Sequence, residues 1–160
     1  MSDNGLYIYK LTTIDEVRYV YTQSYDQKNP DAPLVALSDL SNKEFLEFQK
    51  RRTKDTYLCR RLDDVIGFIT MSEYLDGINL GIHLDPKFRG KGYSTKLISL
   101  FISKFLPKEK PIYAATSEDN LAAISSIKKM GGEFLEKKEF PSRGNNNSVF
   151  YLMFRIRKSK

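Results

Sequence analysis

One stretch of the sequence passes from a strand pattern through a glycine-containing turn into a helix pattern, and this order constrains the fold most. Hydrophobic residues alternate strictly from Ile78 to Leu84, which is the two-residue period of a strand. From Tyr93 to Leu106 they recur three and four residues apart, as on one face of an amphipathic helix that Pro107 ends. Ile112–Thr116 is again strand-like. A strand, a helix and a strand in this order predict a right-handed parallel crossover.

The rest of the chain adds strands and helices around this unit. The further predicted strands are Leu6–Leu11, Thr56–Arg61, Val65–Tyr74, Glu133–Phe140 and Ser148–Arg157. The further predicted helices are Thr13–Tyr21, Ser41–Arg52 and Asn120–Met130. Turns are predicted at Asp63-Asp64, Leu75-Asp76-Gly77 and residues 141–147, with a polar connection over Asp26–Leu37. We therefore predict an α+β fold, with a mixed, mostly antiparallel central sheet and flanking helices.

Within the predicted helices, particular residues are expected to form caps or to face the core. Thr13 and Ser41 are candidate N-caps, and Gly131 is the predicted stop of the third helix. The inward residues predicted for the helix after the glycines are Leu97, Ile98, Phe101, Ile102 and Phe105, and those of the third helix are Leu121, Ile124 and Ile127.

Size and composition place the chain among single-domain proteins and narrow its chemistry. Its 160 residues, 41% of them hydrophobic, predict one domain over residues 1–160. No apolar run approaches the roughly 20 residues that span a bilayer, and the N-terminus lacks a secretory pattern. Cys59 and His83 are the sole cysteine and histidine, which argues against a disulfide and against a metal site built on these residue types. We predict a cytoplasmic protein that uses neither metal nor membrane.

The net charge of +6 favours an anionic partner. Basic residues cluster at residues 50–61 and 155–160, so a nucleic-acid-binding module is one alternative. Many of the aromatic residues fall on inward helical or strand phases, however, and a terminal basic run is usually a solvated tail. Nucleic acid is therefore not the favoured partner.

The stretch from Asp85 to Thr95 joins the alternating strand to the helix and contains Gly90 and Gly92. Glycine allows a positive φ and a close approach of ligand, and the first N–H groups of a helix hold phosphate well. The spacing matches neither a P-loop nor a dinucleotide fingerprint. From the residues alone, a phosphate site and a basic capped turn both stay open.

The residues from Arg89 to Ser94 resemble the acyl-CoA pyrophosphate loop of the GNAT superfamily of N-acetyltransferases. The family motif is Gln/Arg-x-x-Gly-x-Gly/Ala; Arg89 and Gly92 match it, and Ser94 departs from it at the last position. Further along, Asn120 opens a helix that ends in Lys-x-Gly at Gly131, which resembles the family's second characteristic region. The likeness covers Ile78 to about Phe134.

This resemblance implies a fold, a cosubstrate and a reaction. It implies a splayed parallel strand pair, Ile78–Asp85 and Ile112–Thr116, with acetyl-CoA between the strands. The residues that it assigns to the cofactor are Leu84, Arg89, Gly90, Lys91, Gly92, Tyr93, Ser94 and Asn120. Asn120 is equally well interpreted as a helix N-cap. The implied reaction is direct attack of a small-molecule or peptide amine on the thioester, and a homodimer is one possible assembly.

The resemblance identifies no catalytic residue. The position at which many members carry a tyrosine acid falls on Ile127, as in a subset of the family, and the early-strand base falls on an aliphatic residue. His83 is out of phase with the aliphatic residues of its strand, so we predict a structural role for it. Glu73 and Ser117 are the candidates left, together with Asp76, Tyr113 and Glu118 near the same strands. The predicted class is an N-acetyltransferase, and the alternative is a CoA-binding protein without turnover.

Overall fold

The computed structural model describes residues 5–13, 15–17, 19–20, 55–141 and 148–157. Its strands are β1 (Leu6–Lys10), β2 (Thr56–Arg61), β3 (Asp64–Tyr74), β4 (Gly77–Leu84), β5 (Ile112–Ser117), β6 (Glu133–Pro141) and β7 (Ser148–Arg157). Its helices are α1 (Tyr93–Phe105) and α2 (Leu121–Lys129), with a short 3-10 helix at Pro86–Phe88 and helical residues at 15–17 and 19–20. The predicted connection Asp26–Leu37, the predicted helix Ser41–Arg52 and loop residues 142–147 lie outside the described residues.

The seven strands form one mixed sheet in the order β1-β2-β3-β4-β5-β7-β6. Every neighbouring pair is antiparallel except β4 and β5, which are parallel and connected through α1. The predicted α+β class, the mostly antiparallel sheet and the parallel pair are confirmed. The predicted ends of the described strands and of α1 and α2 lie within one residue of the observed ones.

Two hairpins with two-residue loops build the meander from β2 to β4. Their loops are Leu62-Asp63 and Leu75-Asp76, and both leucines have a positive φ, of 53° and 49°. The predicted turn at Asp63-Asp64 is one residue out, because Asp64 already pairs with the last residue of β2. Such tight hairpins need left-handed residues, and here leucine adopts that conformation.

A capping box starts the helical segment after β1. The backbone N–H of Glu16 donates to Thr13 Oγ1 at 3.2 Å, and the N–H of Thr13 donates to Glu16 Oε1 at 3.0 Å. Each side chain therefore accepts a hydrogen bond from a backbone N–H group that has no partner within the helix. The predicted Thr13 cap is confirmed.

The sheet buries a different cluster on each face. The face that packs against α1, called here the helix face, carries Ile69 and Leu80 against Leu97 and Phe101. On the other side, called here the opposite face, Phe68 packs with Leu58, Val17 and Val20. His83 lies on the opposite face, where it is 8% exposed and its ring stacks on Phe68 at 5.1 Å. The out-of-phase position predicted for His83 is confirmed.

Helix α2 packs on the sheet through Ile127, which contacts the cluster of Ala114 and Phe154. Leu121, predicted to face inward, is instead 74% exposed. It is the first residue of α2, and helical side chains tilt toward the N-terminus, so Leu121 projects beyond the start of the helix. At the other end of α2, Gly131 has φ +85° and its N–H donates to Lys128, which confirms the predicted stop.

Candidate active site

The sheet opens where β4 and β5 part. Their parallel ladder holds only as far as Leu80 and Ala114, although β4 continues to Leu84 and β5 to Ser117. The strands are therefore hydrogen-bonded to each other at one end and enclose a gap at the other. The predicted splayed pair is present, and the gap lies directly before the glycine turn.

Backbone groups of β4 point into this gap without a partner on β5. The N–H of Ile78 donates toward β5 at 3.0 Å, and that of Asp85 donates toward β3 at 2.8 Å. Because backbone groups alternate in direction along a strand, Ile82 and Leu84 present theirs to the β5 side, beyond the end of the ladder. The gap is thus lined by hydrogen-bonding groups of the kind that pair with another strand.

Two left-handed glycines shape the turn from β4 into α1. The 3-10 helix Pro86–Phe88 is capped by Asp85, and then Gly90 and Gly92 adopt φ values of 75° and 80°. A Cβ on either glycine would meet no atom within 4 Å. Glycine is required here by the backbone conformation, and the space before the turn is open to a ligand.

The N–H groups of this turn have no hydrogen-bond partner among the described residues. In the described part of the chain, the N–H groups of residues 90–94 donate to no protein acceptor, and α1 has no side-chain cap and no acidic residue in its first turn. Lys91 Nζ lies 5.9 Å from the centre of the Phe88 ring, and the guanidinium carbon of Arg61 lies 5.9 Å from that of Tyr93. Unpaired helix N–H groups with nearby cations are a site for phosphate.

Arg89 connects the turn to the end of β4 through a hydrogen bond. Its Nε donates to the carbonyl of Leu84 at 2.9 Å, and its backbone N–H donates to Pro86 at 3.3 Å. The set of free N–H groups therefore begins at Gly90. Of the predicted cofactor residues, Arg89 stabilises the conformation of the loop. The N–H of Leu84 has no hydrogen-bond partner among the described residues.

Asn120 caps α2. Its side-chain oxygen accepts a hydrogen bond from the N–H of Ala123 at 3.2 Å. The capping interpretation is therefore correct, and the side-chain nitrogen is left for another acceptor. A role of that nitrogen in holding the cofactor stays a prediction.

The two candidate catalytic residues lie away from the turn. Glu73 is exposed and pairs with Ile78, at the closed end of the β4–β5 pair and on the helix face. The hydroxyl of Ser117 donates to the carboxylate of Asp119 in the turn before α2. Ile127, which the resemblance assigns to the position of the family's tyrosine, is a buried core residue. Glu73 thus lies at the far end from the gap and Ile127 has no proton to donate. Ser117 is the last residue of β5, at the open end of the gap, and its hydroxyl is hydrogen-bonded to Asp119.

A tyrosine–aspartate pair lies on the opposite face near the foot of the gap. The hydroxyl of Tyr113 donates to Asp76 Oδ1 at 2.6 Å, and Tyr113 is 5% exposed. This hydrogen bond, with burial adding to it, raises the pKa of Tyr113 above its usual value. The two residues are 37 positions apart in the chain, so the sequence pattern places each near the gap but does not predict the hydrogen bond between them.

No group of three or more His, Cys, Asp or Glu side chains in the described part of the chain is placed to hold a metal ion. Among the described helices, none has the length and apolar character needed to cross a membrane.

A mixed sheet that opens between two parallel strands, beside a glycine turn at a helix N-terminus, is suited to a ligand with a phosphate group and an extended arm. Residues 15–131 match the acetyltransferase (GNAT) family, which is most of the chain. The protein therefore belongs to the GNAT family and is an acyltransferase. The resemblance seen in the sequence is confirmed.

Solved structures of similar fold agree. The spermidine N-acetyltransferase of Vibrio cholerae, in complex with CoA and spermine, has a TM-score of 0.74 at 15% identity, with 96% of each chain covered. The yncA protein of Salmonella typhimurium, with its cofactor acetyl-CoA, has a TM-score of 0.68 at 13% identity, over 98% of this chain and 96% of that one. The ribosomal-protein-S18-alanine N-acetyltransferase of Escherichia coli has a TM-score of 0.65 at 15% identity, over 97% and 96%. At these identities the likeness is one of fold. Comparison with curated protein sequences gives no significant match.

Proposed function

We propose that this protein is an N-acetyltransferase that transfers the acetyl group of acetyl-CoA to a primary amine. The observation that carries the proposal is the gap between β4 and β5, with unpaired backbone N–H groups along one side and at the adjoining glycine turn. A ligand that fits both parts has a phosphate at one end and a peptide-like arm behind it. Acetyl-CoA has this composition.

The turn would hold the pyrophosphate through backbone groups. The N–H groups of residues 90–94 donate to no described protein acceptor, and the left-handed glycines leave the space before them open. Lys91 adds a positive charge. Donors that are already in place bind an anion without rearrangement, so the turn suits a diphosphate.

The free edge of β4 would hold the pantetheine arm. Ile82 and Leu84 offer N–H groups on the side where β5 has separated from β4. An amide-containing arm can pair with them as an added strand does. The carbonyl of Leu84 already accepts from Arg89, so its N–H is the group that remains for the arm.

The proposed reaction needs proton transfers to which the described structure assigns no side chain. A neutral amine forms the new C–N bond to the acetyl carbon while the C–S bond breaks and the thiolate leaves. We propose that water takes the proton of the ammonium and supplies one to the thiolate, because Ile127 cannot donate one. The cytoplasmic location and the homodimer inferred from the sequence remain predictions.

The cofactor assignment is tested with a matched pair of glycine variants. We expect acetyl-CoA at a hundredfold excess over its Kd to raise the Tm by roughly 5–10 °C. Gly92→Val should abolish this rise, because its side chain occupies the space before the turn and strains its backbone. Gly131→Val is the control, since Gly131 also has a positive φ and open surroundings but lies at the far end of α2.

The outcome separates the loop from general destabilisation. Both variants should melt below the wild type in the absence of ligand. An unchanged ligand response in folded Gly92→Val would remove the pyrophosphate assignment.

Activity is tested by the release of free thiol from acetyl-CoA with a panel of amines. Two of the structural neighbours are named for spermidine and for an alanine of ribosomal protein S18, so a polyamine and an alanine peptide both belong in the panel. Product formation with any amine supports the proposal. Stabilisation by acetyl-CoA with no acetylated product from the panel would favour a CoA-binding protein without turnover.

A further inference from the structure

We infer that the acceptor is a long amine with a second positive charge, which the protein binds on the opposite face through Asp76, Tyr113 and Asn79. The inference rests on the proposed acetyl transfer and adds the chemical class of the acceptor and the residues that select it. Four observations on this face support it.

The first observation is position. Tyr113 on β5 is the register partner of Asn79 on β4, one rung before the ladder ends at Leu80 and Ala114. The ring of Tyr74 contacts that of Tyr113 edge to face at 5.2 Å, so the last residue of β3 belongs to the same surface. The glycine turn leads into α1, which covers the other face of the sheet. An acceptor on this surface can approach the gap without displacing α1.

The second observation is that this surface offers hydrogen-bond acceptors to a ligand, although one buried donor on the neighbouring strand β7, Arg155 Nε, also has no hydrogen-bond partner. Tyr113 has committed its proton to Asp76, so its oxygen offers only lone pairs to a ligand. The Oδ1 atom of Asn79 is buried and has no hydrogen-bond partner. Leaving such an acceptor unpaired is costly, and an ammonium group supplies three donors.

The third observation is a repeated arrangement that already holds an ammonium group once. The hydroxyl of Tyr74 donates to Glu136 at 3.3 Å, and Lys138 Nζ lies 4.9 Å from the centre of the Tyr74 ring and 3.3 Å from Glu136. A tyrosine ring with a carboxylate thus binds a cation at this position. Tyr113 and Asp76 form the same pair beside it. In the described part of the chain, Asp76 forms no ion pair.

The fourth observation is the balance of charge. Lys138 is paired with Glu136, and Arg155 is paired with Glu133 at 2.9 Å. The cations of this surface are therefore compensated, while the carboxylate of Asp76 is not. A second cation of the acceptor supplies that charge, and a carboxylate on the acceptor would be repelled.

The spacing along β4 gives the length of the acceptor. Ile82, the first residue with backbone groups free toward the gap, is three residues beyond Asn79, which is about 10 Å along a strand. Asp76 lies still further toward the start of β4. The arm that pairs with Leu84 and Ile82 ends on the Asn79 side of Ile82, so the reacting nitrogen lies at most about 10 Å from Asn79 along the strand, and the second cation lies further on, toward Asp76.

The test compares two acceptors of equal length, α,ω-diaminooctane and ω-aminooctanoate, which differ in the charge of the far end. We expect kcat/KM for the diamine to exceed that for the amino acid by at least about tenfold, as for one hydrogen bond to a charged group. Asp76→Asn keeps an acceptor for the Tyr113 hydroxyl and removes the charge. In that variant the KM of the diamine should rise about tenfold and the preference should fall toward one.

Tyr113→Phe tests the second residue against a matched control. Tyr9 also donates to a carboxylate, Glu16 Oε2 at 2.9 Å, on the distant strand β1. Tyr113→Phe should raise the KM of the diamine, and Tyr9→Phe should leave it unchanged. Neither variant should alter the rise in Tm with acetyl-CoA, because the glycine turn is intact in both.

The outcomes separate the inference from the function on which it rests. A wild-type protein that acetyl-CoA does not stabilise overturns both. Stabilisation by acetyl-CoA with equal turnover of the two acceptors, with none of the diamine, or with a preference that survives Asp76→Asn overturns the inference alone.

Discussion

At the scale of single residues, neighbouring positions of β4 serve different purposes because their side chains and backbone groups point in different directions. Ile82 faces the core on the helix side and offers its backbone to the gap. His83 faces the other side and stacks on Phe68. A histidine near a reaction centre invites a catalytic assignment, yet the strand phase turns this one away from the helix face and into a hydrophobic cluster.

We therefore predict that His83→Gln affects stability more than turnover. The free energy of unfolding should fall by about 1 kcal/mol, since one buried polar contact is disturbed. The kcat should fall by less than about tenfold, whereas loss of a general base costs about 10² to 10⁴. Denaturant unfolding and a pH–rate profile of both proteins check this. If a limb near about pH 6–7 disappears together with most of the activity, His83 is the base.

At the scale of elements, two helix ends are formed by residues that the sequence identifies, the N-cap Thr13 and the C-terminal Gly131. The Thr13–Glu16 capping box and the Gly131 stop are local motifs, and local motifs depend little on the remainder of the fold. Glu16 does more than cap. It also accepts hydrogen bonds from the Tyr9 hydroxyl at 2.9 Å and from the N–H of Thr12 at 2.9 Å, and so ties the helical segment to β1.

This arrangement predicts a pH-dependent contribution to stability. Burial works to raise the pKa of Glu16, but hydrogen bonds from Thr12, Tyr9 and Thr13 outweigh it and lower the pKa below its usual 4.5. A carboxylate with a lowered pKa stabilises the fold above its unfolded pKa, and the contribution is lost as pH falls through the folded value. Glu16→Gln should melt below the wild type at neutral pH. The difference should shrink as the pH falls below about 4.

Thermal melts between about pH 3 and pH 7 measure this difference. Glu139→Gln, which removes an exposed carboxylate of β6, is the control and should show no such trend. A Glu16→Gln deficit that stays constant across the range would contradict the role of the charge.

At the scale of the whole molecule, the decisive feature is that β5 leaves β4 before β4 ends. The separation depends on the paths of both strands. It leaves the backbone N–H groups of Ile82 and Leu84 without a partner on β5. It predicts a pattern of hydrogen exchange. Adding CoA should slow exchange at the N–H groups of Ile82, Leu84 and residues 90–94. Those of Ile78 and Asp85, which already donate within the protein, should change little. Protection spread evenly along β4 would contradict a pantetheine arm paired along its free edge.

Several features were predictable because they depend on neighbours in the sequence. The alternation of Ile78 to Leu84, the helix face of Leu97 and Phe101, and the glycines at positions 90 and 92 indicate a strand, a helix and a glycine turn between them. The parallel pair followed from the strand–helix–strand order, since a crossover of this kind brings the strands side by side.

Only the tertiary structure decided which distant groups meet. The place where the β4–β5 ladder ends, the hydrogen bond between Tyr113 and Asp76, and the burial of Asn79 Oδ1 all depend on strands that come together through contacts far apart in the chain. The prediction that Leu121 faces inward is wrong for a related reason. A helical pattern gives the direction of a side chain around the helix axis, but not whether another element lies beneath that side chain. Periodicity and local motifs are determined by adjacent residues, whereas the outline of a site is determined by how the elements pack, and the sequence pattern does not contain that packing.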